Sequence, residues 1–311
     1  MSVNHFIHML ACPKCQAQLK LEKQHIKCQQ CNMTYPMIND IPIMLVDESF
    51  TGESGTSTNT AAEKEKVKQR FSFIDESLPK SFAPFVTFLN LGYVANDKKQ
   101  YAVKKPKKIC FNKYSVRLLF EVIGDYNLEG KTIIELGSGR GGNIVTISEY
   151  YNPQVMIGLD LSPTNIQFCQ ENLKLDNGCF IVGDVENIPS PDSMYDAVLN
   201  LESSHYYPDM FKFYHQVFRI LKPEGSFLYA DILPADMFKV YEEYLENMGF
   251  SILRNQDISS NVLLSCEEIS KIRESKKNIR LYETFLVVPG SQVYEELNTG
   301  VKRYKILILK K

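Results

Sequence analysis

The chain of 311 residues is predicted to be α/β: a sheet of mainly parallel strands flanked by helices, preceded by a small cysteine-bearing segment. Three observations carry this. Short apolar runs alternate with amphipathic ones from about residue 67 onward, as in strand–helix–strand units. A glycine-rich turn stands between the first of those runs and the helix that follows. Four of the eight cysteines fall within the first 46 residues, as two CxxC pairs.

Composition separates three zones. Residues 1–46 hold the paired cysteines and end in the apolar run Ile41–Val46. Residues 47–66, with Thr51-Gly52-Glu53-Ser54-Gly55-Thr56-Ser57-Thr58, are polar and lack periodicity, a linker signature. Residues 67–311 are the large domain, without internal repeats. In it Thr132–Leu136 reads as a first strand and Asn143–Tyr151 as its helix. Val155–Asp160 is a second strand, followed by a helix capped at Ser162 with Pro163 in its first position. Cys179–Val182 is a third, Tyr195–Asn200 a fourth and Ser226–Ala230 a fifth. Between the last two, residues 209–221 put Met210, Phe213, Tyr214, Val217 and Leu221 on one helical face. Phe238–Asn247 is expected helical, Phe250–Leu253 extended, residues 265–277 helical, and Tyr304–Leu309 a strand closing the sheet.

The apolar fraction of 44% and charged fraction of 23% are those of an ordinary globular chain that can bury its own core. A net charge of −2 supplies no field that would draw the whole molecule onto nucleic acid or an anionic membrane. Basic residues gather only at Lys98, Lys99, Lys104, Lys105, Lys107 and Lys108, read first as a solvated loop and second as a contact for an anionic partner. No run approaches the roughly 18 apolar residues of a membrane helix, and Met1–Cys12 lacks the basic start of a signal peptide. Grouped cysteines in a chain of this length point to metal in a reducing compartment, so the expected location is cytoplasmic.

Cys12, Cys15, Cys28 and Cys31 form two knuckles, each a tight turn aiming two thiolates at one point, and together a closed tetrahedral site suited to structural Zn²⁺. The alternative, two redox pairs, lacks the strand–helix junction such a motif needs. So small a segment would draw its folding energy from the metal. Leu10-Ala11-Cys12-Pro13-x-Cys15, Cys28-x-x-Cys31, Tyr35-Pro36 and Ile41-Pro42-Ile43-Met44-Leu45 resemble the Trm112-like zinc ribbon over residues 6–46, with Asp40 where that family carries Gly. The resemblance implies a link to methyltransferases, as activating partner or as fused module, and so a protein partner or homodimer contact through the ribbon.

Glu135-Leu136-Gly137-Ser138-Gly139-Arg140-Gly141-Gly142 fits both G-x-G-x-G and the dinucleotide pattern G-x-G-x-x-G. Three further residues decide between them. Dinucleotide folds usually place an apolar residue at the position of Glu135, where a carboxylate can hold the ammonium of a methionine moiety. Asp160 ends the second strand, placed for both ribose hydroxyls, and Asp184 follows the third, placed for an adenine amino group. Acids at three successive strand ends suit S-adenosylmethionine better than the pyrophosphate of NAD. The candidate cofactor set is Tyr93, Glu135, Gly137, Gly139, Gly141, Asp160, Leu161, Asp184, Val185 and Asn200.

After the fourth strand comes Glu202-Ser203-Ser204-His205-Tyr206-Tyr207, and after the fifth Ala230-Asp231. Neighbouring strands lie about 4.8 Å apart, so His205 and Asp231 converge at the carboxyl edge, as a base and the acid that orients it. Residues 85–311 resemble class I S-adenosylmethionine-dependent methyltransferases with a Rossmann-like sheet, in particular the phthiotriolone and antibiotic-sugar O-methyltransferase group, through Leu89-Asn90-Leu91-Gly92-Tyr93 and Val288-Pro289-Gly290-Ser291-x-x-Tyr294. That resemblance implies base and orienting roles for the His of E-S-x-H and the Asp of A-D, both matched here.

Glu202 reads as a structural or neighbouring acceptor before a catalyst, and Tyr206 and Tyr207 as pocket walls or packing. His5, His8, His25 and His215 are read as bland, and Cys110, Cys169, Cys179 and Cys266 as core thiols. Neither an Asn-Pro-Pro-Tyr motif nor a paired catalytic Cys is present in the large domain, which argues against methylating nucleic-acid bases. The leading expectation is O-methylation of a hydroxyl on a small, largely apolar acceptor. An RNA methyltransferase gripping its substrate with the ribbon, and an inactive cofactor-binding scaffold, are the alternatives.

Overall fold

The computed structural model describes residues 3–46, 57–78, 83–95, 112–274 and 287–311. The lysine cluster at 98–108, Cys110 and residues 47–56 of the linker lie outside them. Among the described residues eleven strands form one sheet in the order β1-β2-β3-β4-β7-β6-β5-β8-β9-β11-β10. Its centre is parallel: β5 (Thr132–Leu136), β6 (Val155–Asp160), β7 (Gly178–Gly183), β8 (Tyr195–Leu201) and β9 (Leu221–Pro234). The chain order turns back between β5 and β8, the switch point at which open α/β sheets bind ligands. β10 (Ser251–Asp257) and β11 (Lys302–Lys310) complete that end, each pairing antiparallel to its neighbour. β11 does not close the sheet as its position in the chain suggests. It lies between β9 and β10, where buried Tyr304, Ile306, Leu307 and Leu309 gain apolar cover on both faces.

Alternate residues of the strands feed two cores. Ile134, Leu136, Ile157, Leu159, Val198, Phe227 and Tyr229 pack with α5 (Met210–Ile220), α6 (Ala235–Asn247) and the cysteine segment. Ile133, Met156, Phe180, Val182, Leu199 and Leu228 pack with α2 (Lys113–Ile123), α3 (Gly142–Tyr151), α4 (Pro163–Asn172), α7 (Ser259–Glu274) and α8 (Gln292–Asn298). Local chemistry starts the helices. Ser162 caps α4 by accepting from the Asn165 N–H, and the Asp209 side chain accepts from the Lys212 N–H at the start of α5.

β1 (Leu19–Glu22), β2 (His25–Cys28), β3 (Thr34–Ile38) and β4 (Ile41–Met44) are antiparallel to one another. Asn39 and Asp40, both at positive φ (50° and 63°), make the two-residue β3–β4 turn. This is the left-handed conformation for which Gly is the easy choice and which Asp tolerates. β4 then pairs parallel to β7, Ile43 with Val182 and Met44 with Gly183. The cysteine segment is therefore continuous with the large sheet.

The span read as linker also departs from expectation. Helix α1 runs Ser57–Ser77, so residues 57–66 are helical. Few apolar residues mark it, and among its described side chains the buried position is taken by a lysine, Lys64. Apolar periodicity could not reveal such a helix.

Candidate active site

A cavity of about 870 Å³, counting space open to solvent at its mouth, lies at the carboxyl ends of β5, β6, β7 and β8. The turn after β5 forms its floor. Gly137, Gly139 and Gly141 all have positive φ (70°, 51° and 73°). A Cβ at Gly137 would strike Ser203 Oγ at 2.4 Å and Tyr207 OH at 2.6 Å, whereas one at Gly139 would point into open space. Gly137 thus admits the β8 loop, and Gly139 leaves the backbone bare toward a ligand. Gly141 faces away from the cavity, onto Leu173, Cys169 and Phe180.

Glu135 is buried on this floor. Its Oε1 accepts from the Asn143 amide at 2.6 Å, and Oε2 has no partner among the described residues. Burial pushes its carboxyl up to about 8, against the Asn143 hydrogen bond and with the charge of Asp160 adding. Ser138 Oγ, Asn143 Oδ1 and Asn200 Oδ1 are likewise buried and unpartnered. Unmet acceptors around a bare glycine turn fit a ligand bearing an ammonium and hydroxyls.

Asp160 also lines the cavity. Its Oδ2 accepts from the Gly139 N–H at 2.8 Å, and Oδ1 from the Ser162 N–H at 2.9 Å and the Asn165 amide at 3.2 Å. The aspartate ties the glycine turn to the start of α4 as well as facing the cavity. Leu161, Asp184 and Val185 stand in the wall too. Asn200 does not. Its amide donates to Leu136 O, Ser203 Oγ and Tyr207 OH at 2.8–2.9 Å, holding the β8 loop over β5. Tyr93 is buried outside the cavity, its N–H donating to Tyr114 O, and the neighbouring Thr87, Phe88, Leu89 and Asn90 supply the wall instead. Arg140 pins that stretch to the glycine turn, donating to Val86 O at 2.6 Å and Ala83 O at 2.8 Å.

His205 and Asp231 come together as the strand order required. His205 Nδ1 lies 2.7 Å from Asp231 Oδ1, with Asp231 fully buried. The other oxygen, Oδ2, accepts from the backbone N–H groups of Ser203 and Ser204 and from the Ser204 hydroxyl, at 2.6–3.1 Å. Burial alone would raise the Asp231 pKa, but the imidazole and these donors hold it below the ordinary value. Burial would likewise lower His205, but the charge and hydrogen bond of Asp231, helped by Glu202, hold it above the usual histidine range. With Nδ1 committed to the carboxylate, Nε2 is the nitrogen left to take a proton. His205 is not itself among the residues that line the cavity, although its neighbours Glu202, Ser203, Tyr206 and Tyr207 are; its side chain is 24% exposed and its ring centre lies 4.1 Å from that of Tyr206.

Glu202, at φ +53°, is half-buried and accepts from the Leu91 N–H and the Tyr304 hydroxyl, both at 2.9 Å. Burial pushes it up to about 7. It straps the 89–93 stretch to the end of β8. Lys64 is the site residue that sequence reasoning missed. Its Nζ lies 2.9 Å from Asp184 Oδ2 and 2.7 Å from Glu186 Oε2.

In the cysteine segment all four Sγ atoms lie within 4.8 Å of one another, with edges of 3.6 Å (Cys12–Cys31) and 3.5 Å (Cys15–Cys28). Four thiolates at about 2.3 Å from a zinc ion would be spaced by about 3.8 Å, so the donor set fits. The Gln30 and Cys31 N–H groups donate to Cys28 Sγ at 3.4 Å, and Tyr35 OH is 3.0 Å from Cys12 Sγ.

A parallel sheet with this switch point, a glycine turn flanked by acids at successive strand ends, and a His–Asp pair at one rim define the class I methyltransferase type. The comparisons agree. The family model described as a methyltransferase domain matches residues 127–284. The fatty-acid O-methyltransferase of Mycolicibacterium smegmatis is 31% identical over 227 residues, covering 71% of this chain and 82% of that protein. The phthiotriol/phenolphthiotriol dimycocerosates methyltransferase of Mycobacterium leprae is 31% identical over 194 residues, 62% of this chain and 71% of its own. This chain belongs to the methyltransferase-domain family and is an S-adenosylmethionine-dependent methyltransferase.

Among solved structures, the [4+2]-cyclase SpnF has a TM-score of 0.60 at 18% identity, covering 80% of this chain and 96% of its own. A geranyl diphosphate methyltransferase scores 0.55 at 16% identity, covering 80% and 99%. That one fold carries both a cyclase and a methyltransferase shows why the reaction has to be argued from the site.

Proposed function

We propose that the protein methylates an oxygen, preferably a hydroxyl, of a small and largely apolar acceptor, with His205 as general base and Asp231 orienting it. The carrying observation is the 2.7 Å His205–Asp231 pair beside a wall of Val67, Phe71, Phe88, Leu89, Tyr206 and Tyr207. When bound, S-adenosylmethionine supplies a methyl group already activated on a sulfonium. The protein's share is to orient the acceptor, exclude water and remove a proton. Glu135 would hold the ammonium end, Gly139 the close backbone approach, Asp160 the ribose and Asp184 the nucleobase. The names of two relatives, a fatty-acid O-methyltransferase and a phthiotriol/phenolphthiotriol dimycocerosates methyltransferase, support an apolar acceptor. Screening methyl transfer from labelled cofactor onto long-chain alcohols, phenols and fatty acids tests this. Transfer only to polar amines or to RNA would overturn it.

The cofactor placement makes two further predictions. S-adenosylhomocysteine should bind and NAD should not, and Asp160→Ala should weaken the former by about 1–3 kcal/mol through lost hydrogen bonds. Calorimetry reads both, and unchanged affinity would place the ribose elsewhere. Glu135, held up to about 8, carries a proton at neutral pH in the free site. An ammonium brought against it favours the carboxylate, so binding should release a proton at pH 7 and tighten as pH rises toward about 8. Titrations in buffers of different ionisation heat measure this, and binding with no proton release would remove Glu135 from the ammonium site.

The cysteine cluster is assigned to one structural zinc ion, with residues 1–46 a ribbon braced on the catalytic domain and available to a protein partner or a second copy. Four paired thiols support a reducing compartment, the cytoplasm. No described helix is long and apolar enough to cross a membrane.

A further inference from the structure

Helix α1 supplies one wall of the cavity, yet little apolar surface holds it there. Among its described side chains Lys64 alone is buried, at 7% exposed, while Val67 and Phe71 are half-buried and Phe73 is 56% exposed. The Lys64 ammonium sits between two carboxylates that follow β7, Asp184 and Glu186. Burial alone would lower its pKa, but the two acids hold it above the ordinary lysine value. Lys64, Val67 and Phe71, on one face of the helix, all line the cavity. Phe71 meets the Tyr206 ring edge-on at 5.9 Å, and the Arg70 guanidinium lies 5.4 Å over the same ring. Ser72 Oγ is 3.1 Å from Thr164 Oγ1 on α4. The helix thus touches both ends of the cavity, the acids at the nucleobase end and the aromatic residue beside His205.

We propose that Lys64 is a positioning residue that locks α1 across the cavity, setting Asp184 toward the nucleobase and Phe71 against Tyr206. The proposal rests on the cofactor placement above. A helix so poor in apolar contacts needs a strong anchor, and a buried cation bonded to two carboxylates is one. The same cation offsets the repulsion between two carboxylates held side by side. Without it that repulsion is unbalanced, and both acids lose their fixed orientation.

Lys64→Met keeps the aliphatic stem and removes the charge, while Lys64→Arg keeps the charge. S-adenosylhomocysteine is expected to leave the Lys64→Met protein about tenfold faster than the unaltered one in stopped-flow displacement. In the unaltered protein the ligand should slow hydrogen exchange of α1 amides, and in Lys64→Met it should not. Lys64→Arg should restore most of both effects, which a merely space-filling lysine would not require. If Lys64→Met fails to fold, Glu186→Gln, which weakens the same anchor, should show a smaller shift in the same direction. An unchanged off-rate with ligand-protected α1 in Lys64→Met, or in Glu186→Gln where that is the folded variant, would overturn the lock and leave the cofactor placement standing. Failure of the unaltered chain to bind S-adenosylhomocysteine would overturn both.

Discussion

His205→Ala is expected to lower turnover about 10²–10⁴-fold while leaving cofactor affinity nearly intact. A neutral hydroxyl is a poor nucleophile unless its proton leaves, and His205 Nε2 is the acceptor that the Asp231 bond at Nδ1 leaves open. The sign of the pH dependence follows. Because His205 is held above the usual histidine value, it stays protonated and idle at the lower end of the physiological range. Turnover should rise with pH through a limb above about 6.5, the unperturbed value. Asp231→Asn removes the charge that raises it, so burial should dominate and the limb should move down in pH while the maximal rate falls. The double variant should be little worse than the worse single one, since the two act as a unit. Near-normal activity of His205→Ala on a hydroxyl acceptor would show that positioning alone suffices. An acceptor that is a carboxylate, already ionised at neutral pH, should by contrast be nearly indifferent to His205→Ala. The pair of acceptors therefore tells base catalysis from mere orientation.

Loss of the metal should be the larger effect on the fold. Purified without added metal, the protein is expected to carry one zinc per chain by elemental analysis, and iron or no metal would count against the assignment. Cys28→Ser should abolish zinc retention and unfold residues 1–46, because metal binding in so small a module supplies about 10–16 kcal/mol of its folding free energy. Burial, with the Cys28, Cys15 and Cys12 thiols adding to it, pushes the Cys31 thiol up to about 12, whereas, against burial, the Cys31 and Gln30 N–H groups hold Cys28 down at about 7; a dication stabilises four thiolates this close together. The damage should travel. β4 pairs with β7 at Met44–Gly183, one residue before Asp184. Cys28→Ser should therefore also weaken S-adenosylhomocysteine binding. Unchanged affinity in a zinc-free, partly unfolded chain would show that β7 holds its own edge.

Much of this molecule is legible in the sequence because the signals are local. Apolar runs of strand length marked the five parallel strands, and CxxC spacing marked the thiol cluster. Glycines needing positive φ marked the turn after β5, since no other residue adopts that backbone so freely. His205 and Asp231 could be paired from sequence because strand order alone puts the ends of β8 and β9 side by side.

Elsewhere the signal was weak or misplaced. The sequence places Tyr93 at the cofactor, but the chain lines the cavity a few residues earlier, at Thr87–Asn90. Gly141 and Asn200 belong to the packing beneath the turn, a distinction that depends on which way each side chain faces.

Residue order and spacing by themselves determined the α/β class, the cysteine cluster, the acids at three strand ends and the His–Asp pair. Only the tertiary structure decided that β4 extends the large sheet, that β11 lies inside it, and that a polar helix lies across the cavity. Those three rest on contacts between residues far apart in the chain. Lys64 and Asp184 are 120 positions apart, and their bond is worth making only where folding has buried both charges. Periodicity reports what one segment buries; it carries no information about a partner that a distant segment supplies.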